Sequence, residues 1–155
     1  MRALLQRVSQ AQVTVDGQVT GAIGAGLLIF IGFHKNDTPA EGEWMIRKIL
    51  TLRIFSDDAG KMGRAVQDIN GGLLIVSQFT LYGDLRKGTR PDFTDSMPGP
   101  LARDFYANWV AAFRQATPLK IEEGRFAADM NVQLSNDGPV TILIEREAPE
   151  APPKL

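Results

Sequence analysis

The stretch Leu73-Leu74-Ile75-Val76, followed at once by Ser77-Gln78-Phe79-Thr80-Leu81, constrains this chain more than any other. Four apolar residues in a row, with no polar alternation to mark a wet side, specify a strand buried on both faces. The polarity then changes within one residue. A hydroxyl or amide at the end of such a strand costs roughly 1–3 kcal/mol unless something hydrogen-bonds it. Ser77, Gln78 and Thr80 therefore either bond neighbouring backbone at a strand end or form the floor of a pocket.

Other elements arrange themselves around that strand. Strand-forming residues run from Leu4 to Ser9 and from Gln12 to Val15, and Asp16-Gly17 before Val19 is a strong hairpin signal. Gly21, Gly24 and Gly26 resemble a dinucleotide loop only loosely, because Leu27-Leu28-Ile29-Phe30-Ile31 continues as a buried strand where that loop demands a helix. Thr38-Pro39-Ala40-Glu41 is a capping box with proline at the first helical position, so a helix begins near Thr38, with Ile46, Ile49 and Leu50 on its apolar face. Leu52 to Phe55 reads as a strand and Ser56 to Lys61 as a polar turn. From Tyr82 to Pro100 the chain is loop-like and carries a small basic cluster of Arg86, Lys87 and Arg90. Leu101, Phe105, Trp109 and Phe113 then recur every four residues as the buried stripe of a second helix, ended by Thr117-Pro118. Met130, Val132 and Leu134 alternate, as do Val140, Ile142 and Ile144, and the turn signal Asn136-Asp137-Gly138-Pro139 between them predicts a closing hairpin.

A length of 155 residues suits one domain with its own core. The proline-rich tail, residues 147–155, cannot join a sheet and is expected to be disordered, leaving 1–146 as the folded domain. A formal charge of −1 provides no general positive field for nucleic acid, so any RNA contact must be local. The absence of cysteine removes disulfides, thiolate catalysis and zinc-thiolate sites, and suits a reducing cytoplasm. The N-terminal apolar run is too short for a signal peptide, and no segment approaches membrane-spanning length. The expectation is a soluble cytoplasmic protein.

The catalytic options are few. The one histidine, His34, ends an apolar strand, and no serine in a nucleophile-elbow pattern accompanies it. Neither paired histidines nor carboxylates at metal-ligand spacing occur, so no metal or other cofactor is expected. If the chain is an enzyme, it must stabilise charge with backbone N–H groups and small hydroxyls, or borrow a reactive group from its substrate.

Two motifs, Ser77-Gln78-Phe79-Thr80-Leu81 and Asn136-Asp137-Gly138-Pro139-Val140-Thr141, together resemble the pair that marks the D-aminoacyl-tRNA deacylases. The resemblance runs from Leu5-Gln6-Arg7-Val8 through Arg53-Ile54-Phe55-Ser56-Asp57 and Gly124 to Met130, ending near Ile144. It implies a single-domain α/β fold with layered mixed β-sheets and two helices, assembled as a homodimer. It also implies an enzyme that hydrolyses the ester between a D-amino acid and the 3′-terminal adenosine of tRNA, without a metal. Ser77, Gln78, Phe79 and Thr80 would then be the catalytic pocket residues. Gly138-Pro139 would reach into the partner subunit's pocket through a cis peptide bond, and Arg7 would brace that motif. Cis is a minority state of X–Pro bonds, so the residues alone predict a trans turn. Phe126 and Met130 would line the wall beside the adenosine, although an apolar pair there also reads as core.

On this reading selection works by rejection, with rigid carbonyls at Gly138-Pro139 excluding an L side chain, and glycyl-tRNA mischarged on tRNA(Ala) should be cleaved as well. Thr80 is the obvious nucleophile candidate, yet a lone threonine without a base is a poor one. The favoured alternative places the oxyanion on the N–H groups of Phe79 and Thr80, with the ribose 2′-OH helping to activate water. Arg86, Lys87 and Arg90 are either acceptor-stem contacts or solvated loop charges. A related group acting on L-alanyl-tRNA departs at the first motif, which favours the D-specific branch. The competing class is a non-catalytic module that binds the aminoacylated 3′ end of tRNA. Neither DNA nor a membrane is an expected partner.

Overall fold

A computed structural model describes residues 1–149 of the chain. Its framework is a six-stranded mixed sheet in the order β2-β1-β3-β6-β7, with β8 along the other edge of β1. β1 (Arg2–Val15) is long enough to serve three partners. Its first half pairs with β3 (Gly26–Gly32), its second half with β2 (Gln18–Ile23), and its opposite edge with β8 (Asn131–Glu145). The predicted first hairpin is present, with Val15 opposite Gln18 and both turn residues, Asp16 and Gly17, at positive φ.

β3 and β6 (Gly72–Ser77) run parallel, with Ile31 opposite Ser77, and β7 (Ile121–Glu123) adds a third parallel strand. Parallel neighbours need crossover connections, and these bring in the two helices, α1 (Pro39–Thr51) and α2 (Gly99–Ala116). Leu27, Ile29, Ile31, Leu73 and Ile75 face both helices in the larger core cluster. Leu28, Leu74 and Val76 face a second cluster with Val8, Val13 and Ile23, because the β1–β2 end curls over the opposite face. The double-sided burial of Leu73 to Val76 follows from that curl.

Four expectations need correction. Leu52 to Phe55 is not a strand, since α1 continues to Thr51 and the next strand, β4 (Phe55–Ser56), pairs only with β5 (Met62–Arg64). The loop-like stretch from Tyr82 does not run to Pro100: β6 ends at Ser77, Phe79–Tyr82 forms a 3-10 turn, and α2 already begins at Gly99. In α2 the buried stripe is Ala102, Tyr106, Trp109, Val110 and Phe113, while Leu101 is 63% exposed. An 18-residue helix drifts relative to a strict four-residue repeat, which carries Leu101 off the buried face. Residues 131–145 form one strand rather than a hairpin, because β1 is long enough to pair with both halves. Gln6 opposes Thr141 and Val8 opposes Asn136, so residues 137–140 bulge out opposite Arg7 alone.

The α1 entry matches its motif: the Glu41 carboxylate accepts from the Thr38 N–H at 2.9 Å and from its hydroxyl at 2.6 Å. No helix among the described residues is long and apolar enough to cross a membrane. Most of the tail over which disorder is expected, residues 150–155, lies outside the described residues.

Candidate active site

The parallel strands β3 and β6 end together, and a cleft of about 690 Å³ opens just beyond their carboxyl ends. Ligands in α/β sheets settle in such crevices because the strand ends and the loops after them supply polar groups over a rigid floor. Ile31, Val76 and Ser77 form the floor, and Gln78 and Phe79 continue it into the turn. Phe126, Ala128 and Met130 line one wall, while Phe93, Met97 and Pro98 line the other. The second wall belongs to the segment read as a plain loop. It is tied to the end of β3 by Met97 N–H to the Phe33 carbonyl (2.9 Å) and Lys35 N–H to the Asp95 carbonyl (3.0 Å).

The cleft brings together Ser77, Gln78, Phe79, Phe126 and Met130 of the expected site. The Ser77 side chain is half-buried and has no hydrogen-bond partner among the described residues, so the strand-end reading, in which it bonds nearby backbone, does not describe it. Gln78 Nε2 donates to Thr80 Oγ1, and both side chains stay on the turn. Phe79 is 58% exposed and packs edge-on against Phe93, ring centroids 5.0 Å apart. Phe126 packs on Tyr106 at 5.5 Å, with the Arg103 guanidinium 5.1 Å over its ring. Asp129 is the one titratable side chain that lines the cleft among the described residues.

Backbone geometry supplies what the side chains lack. Gln78 N–H bonds the Ile31 carbonyl (2.7 Å), and the Gln78 carbonyl accepts from Leu81 N–H (3.2 Å) as the 3-10 turn closes. The N–H groups of Phe79 and Thr80, at the open end of that turn, find no acceptor among the described residues. Tight closure over β3 depends on Gly32, since a Cβ there would lie 2.8 Å from the Gln78 carbonyl oxygen. The N-terminus of α2 also reaches the cleft through Gly99 with no acid in its first turn, so positive helix potential is not offset there.

Thr80 does not itself line the cleft, and Arg7, Gly138 and Pro139 lie outside it within the subunit. Arg7, buried on β1, holds the bulge of β8. Its Nε sits 2.9 Å from the Asp137 carboxylate and its Nη1 donates to the Ile54 carbonyl at 2.6 Å. Asn136 closes the bulge from the other side, its amide donating to the carbonyls of Arg7 (2.9 Å) and Val140 (3.1 Å). The Gly138-Pro139 peptide bond is cis. His34 is occupied structurally, with Nδ1 accepting from Asn36 N–H and the ring 5.5 Å from that of Tyr82. In the basic cluster, Arg86 is clamped to Asp84, whose carboxyl it holds down at about 2, while Lys87 and Arg90 form no ion pair among the described residues.

Residues 4–145 match the family model described as D-Tyr-tRNA(Tyr) deacylase. A D-aminoacyl-tRNA deacylase of Acaryochloris marina is 52% identical over 148 residues, covering 96% of this chain and 97% of its own. One from Thermotoga petrophila is 51% identical over 145 residues, covering 94% and 97%. Among solved structures, a c-Myc DNA Unwinding Element Binding Protein superposes with a TM-score of 0.91 at 43% identity, over 96% of this chain and all of that one. A probable eukaryotic D-amino acid tRNA deacylase shares the fold, with a TM-score of 0.78 at 17% identity over 92% of this chain.

Proposed function

The chain belongs to the D-Tyr-tRNA(Tyr) deacylase family, and from that premise we propose that its cleft hydrolyses the ester joining a D-amino acid to the 3′-terminal adenosine of tRNA. The family makes it a hydrolase of aminoacyl-tRNA esters. The observation that carries the site assignment is the pair of amides, Phe79 and Thr80, that find no acceptor among the described residues, on the turn that leads out of the floor of a cleft almost free of titratable groups.

Water attacks the ester carbonyl, and the carbonyl oxygen becomes an oxyanion received by those two N–H groups. The carbon–oxygen bond to the ribose then breaks, the 3′-oxygen leaves with a proton, and the amino acid departs as its carboxylate. Preorganised backbone donors of this kind are worth roughly 10²–10³ in rate each. The 2′-OH of the terminal ribose assists proton movement from water, a role for which the cleft has no histidine. Thr80 has no base beside it and accepts from Gln78, so it orients that amide rather than attacking. The adenosine rests against Phe126 and Met130.

Handedness is selected by a second copy of the chain, whose Gly138-Pro139 carbonyls wall off the side an L side chain would occupy. Arg7 braces that bulge in its own subunit. Glycyl-tRNA has nothing for the wall to strike and is cleaved. The assembly is a homodimer and works in the cytoplasm. DNA is not a proposed partner: although the 43%-identical structure is named for binding it, a net charge of −1 offers no field for a duplex.

The test is deacylation of D-tyrosyl-, L-tyrosyl- and glycyl-tRNA by purified protein treated with chelator. The D and glycyl substrates should lose their amino acid and the L form keep it. Binding of D-tyrosyl-tRNA without release would instead identify a non-catalytic module.

A further inference from the structure

Arg2 makes three contacts that converge on the far end of the turn carrying Phe79 and Thr80. Its Nη1 donates to the Leu81 carbonyl at 2.8 Å. Its guanidinium lies over the Tyr82 ring, with Cζ 4.6 Å from the centroid. Its Nε sits 2.8 Å from Glu145 Oε1. The sheet register sets this arrangement, since Arg2 opposes Glu145 on β8 and Gly32 on β3, the residue over which the turn closes. A planar guanidinium can donate to a carbonyl and pair with a carboxylate while stacking on a ring; a lysine ammonium is a single point charge.

A four-residue 3-10 turn has too few hydrogen bonds of good geometry to hold its own direction. Its near end is fixed by the Gln78 bond to β3. Tyr82, buried against the His34 ring, and the Arg2 bond to Leu81 fix its far end. We propose that Arg2 is a positioning residue for deacylation: by pinning Leu81 and Tyr82 to β1 and β8, it fixes the aim of the Phe79 and Thr80 N–H groups at the oxyanion. The inference rests on the reading that those amides receive the oxyanion.

An interaction made in the transition state and not in the ground state alters the chemical step and leaves substrate binding almost untouched. Misplacing it by about 1 Å costs up to about 10²-fold. The experiment is single-turnover deacylation of D-tyrosyl-tRNA across a range of excess protein, using wild type, Arg2→Ala, Arg2→Lys and Glu145→Gln. For Arg2→Ala the maximal rate constant should fall between about tenfold and 10²-fold, with the half-saturating protein concentration changed less than about twofold. Arg2→Lys should recover part of that rate, and Glu145→Gln should lose less than Arg2→Ala. Partial unfolding would do the reverse, raising the half-saturating concentration and sparing the maximal rate, and that pattern would overturn the assignment. An unchanged maximal rate in Arg2→Ala, beside an active wild type, would overturn it while leaving the proposed function standing. A wild type that leaves D-tyrosyl-tRNA intact would overturn both.

Discussion

Arg7 on β1 and Asp137 at the tip of the β8 bulge are joined twice, Nε lying 2.9 Å from the Asp137 carboxylate and 3.3 Å from its carbonyl oxygen. The same guanidinium satisfies the Ile54 carbonyl, so one buried side chain couples the bulge to the segment after α1. Arg7→Ala leaves that buried carbonyl unpaired, at a cost of about 1–3 kcal/mol, and frees the bulge. Thermal unfolding should shift to lower temperature. If the bulge screens handedness, the ratio of L- to D-tyrosyl-tRNA hydrolysis should rise as well, measured at a temperature where the variant is folded. A destabilised protein with unchanged stereoselectivity would separate the two roles.

The amide of Phe79 can be removed without removing the turn. Phe79 is the first residue of the 3-10 turn, a position that proline accepts, and Gln78 before it has φ −145° and ψ 76°, outside the helical region. Phe79→Ala deletes the ring, and Phe79→Pro deletes the ring and the N–H. The ratio of their maximal rates therefore isolates the donor, and it should be roughly 10²–10³. Thr80→Ala, which keeps its N–H, should retain much of the wild-type rate. Equal rates for the proline and alanine variants would remove the Phe79 amide from the mechanism.

Much of the scaffold was legible because it obeys short-range rules. Asp16-Gly17, the Thr38 capping box and the alternation along Met130 to Leu134 each declare their geometry within a few residues. The deacylase family, too, was readable from two motifs, and the match over residues 4–145 bears it out. What escaped depended on distant partners. The second half of β8 reads as the return of a hairpin until the 14-residue length of β1 is known. β7, three residues long, has no signal beyond its pairing with β6. Phe93, Met97 and Pro98 form a cleft wall only because their loop bonds back to Phe33 and Lys35. A contact such as Arg2 to Leu81, 79 residues apart, leaves no local trace.

Both tyrosines of the chain, Tyr82 and Tyr106, are buried, and burial pushes both phenols well above their ordinary value. The Asp37 carboxylate adds to the effect at Tyr82, against Arg2, and Glu123 adds to it at Tyr106. A folded-state value above the unfolded one means that the native state holds more protons once the pH passes about 10. The stability these groups contribute is thus complete below about 10 and is lost as pH rises beyond it, on the order of 1.4 kcal/mol per pH unit for each. Tyrosinate absorbance should appear together with loss of the circular dichroism signal rather than before it. Ionisation of either tyrosine near 10 in a folded protein would contradict this.

Gly32 has no room for a side chain. A Cβ would stand 2.8 Å from the Gln78 carbonyl oxygen and 3.3 Å from Leu81 Cβ, and the first of these is backbone that cannot swing aside. Gly32→Ala must therefore lift the turn off β3, costing about 1–3 kcal/mol in overpacking. Because the displaced segment carries the proposed oxyanion donors, the maximal deacylation rate should fall by more than the affinity for tRNA. Calorimetry and single-turnover kinetics on the same preparation check the two halves.

Gly138 offers the opposite case. A Cβ there would meet only Asn136 Oδ1 at 3.5 Å, an ordinary van der Waals distance, and the residue does not sit at positive φ. The subunit can accept Gly138→Ala without strain, and its melting temperature should stay within about 0.5 kcal/mol of wild type in free-energy terms. If Gly138 enters a second subunit's cleft, however, the added methyl group occupies space meant for the substrate's α-carbon. Hydrolysis of D-tyrosyl-tRNA should then drop while the fold and the oligomeric state, followed by sedimentation, remain unchanged. Glycyl-tRNA, with hydrogen in place of the side chain, should be affected less. Full activity on both substrates would place the bulge away from the reacting ester, and selection for handedness would have to be sought in the walls formed by Phe93 and Phe126.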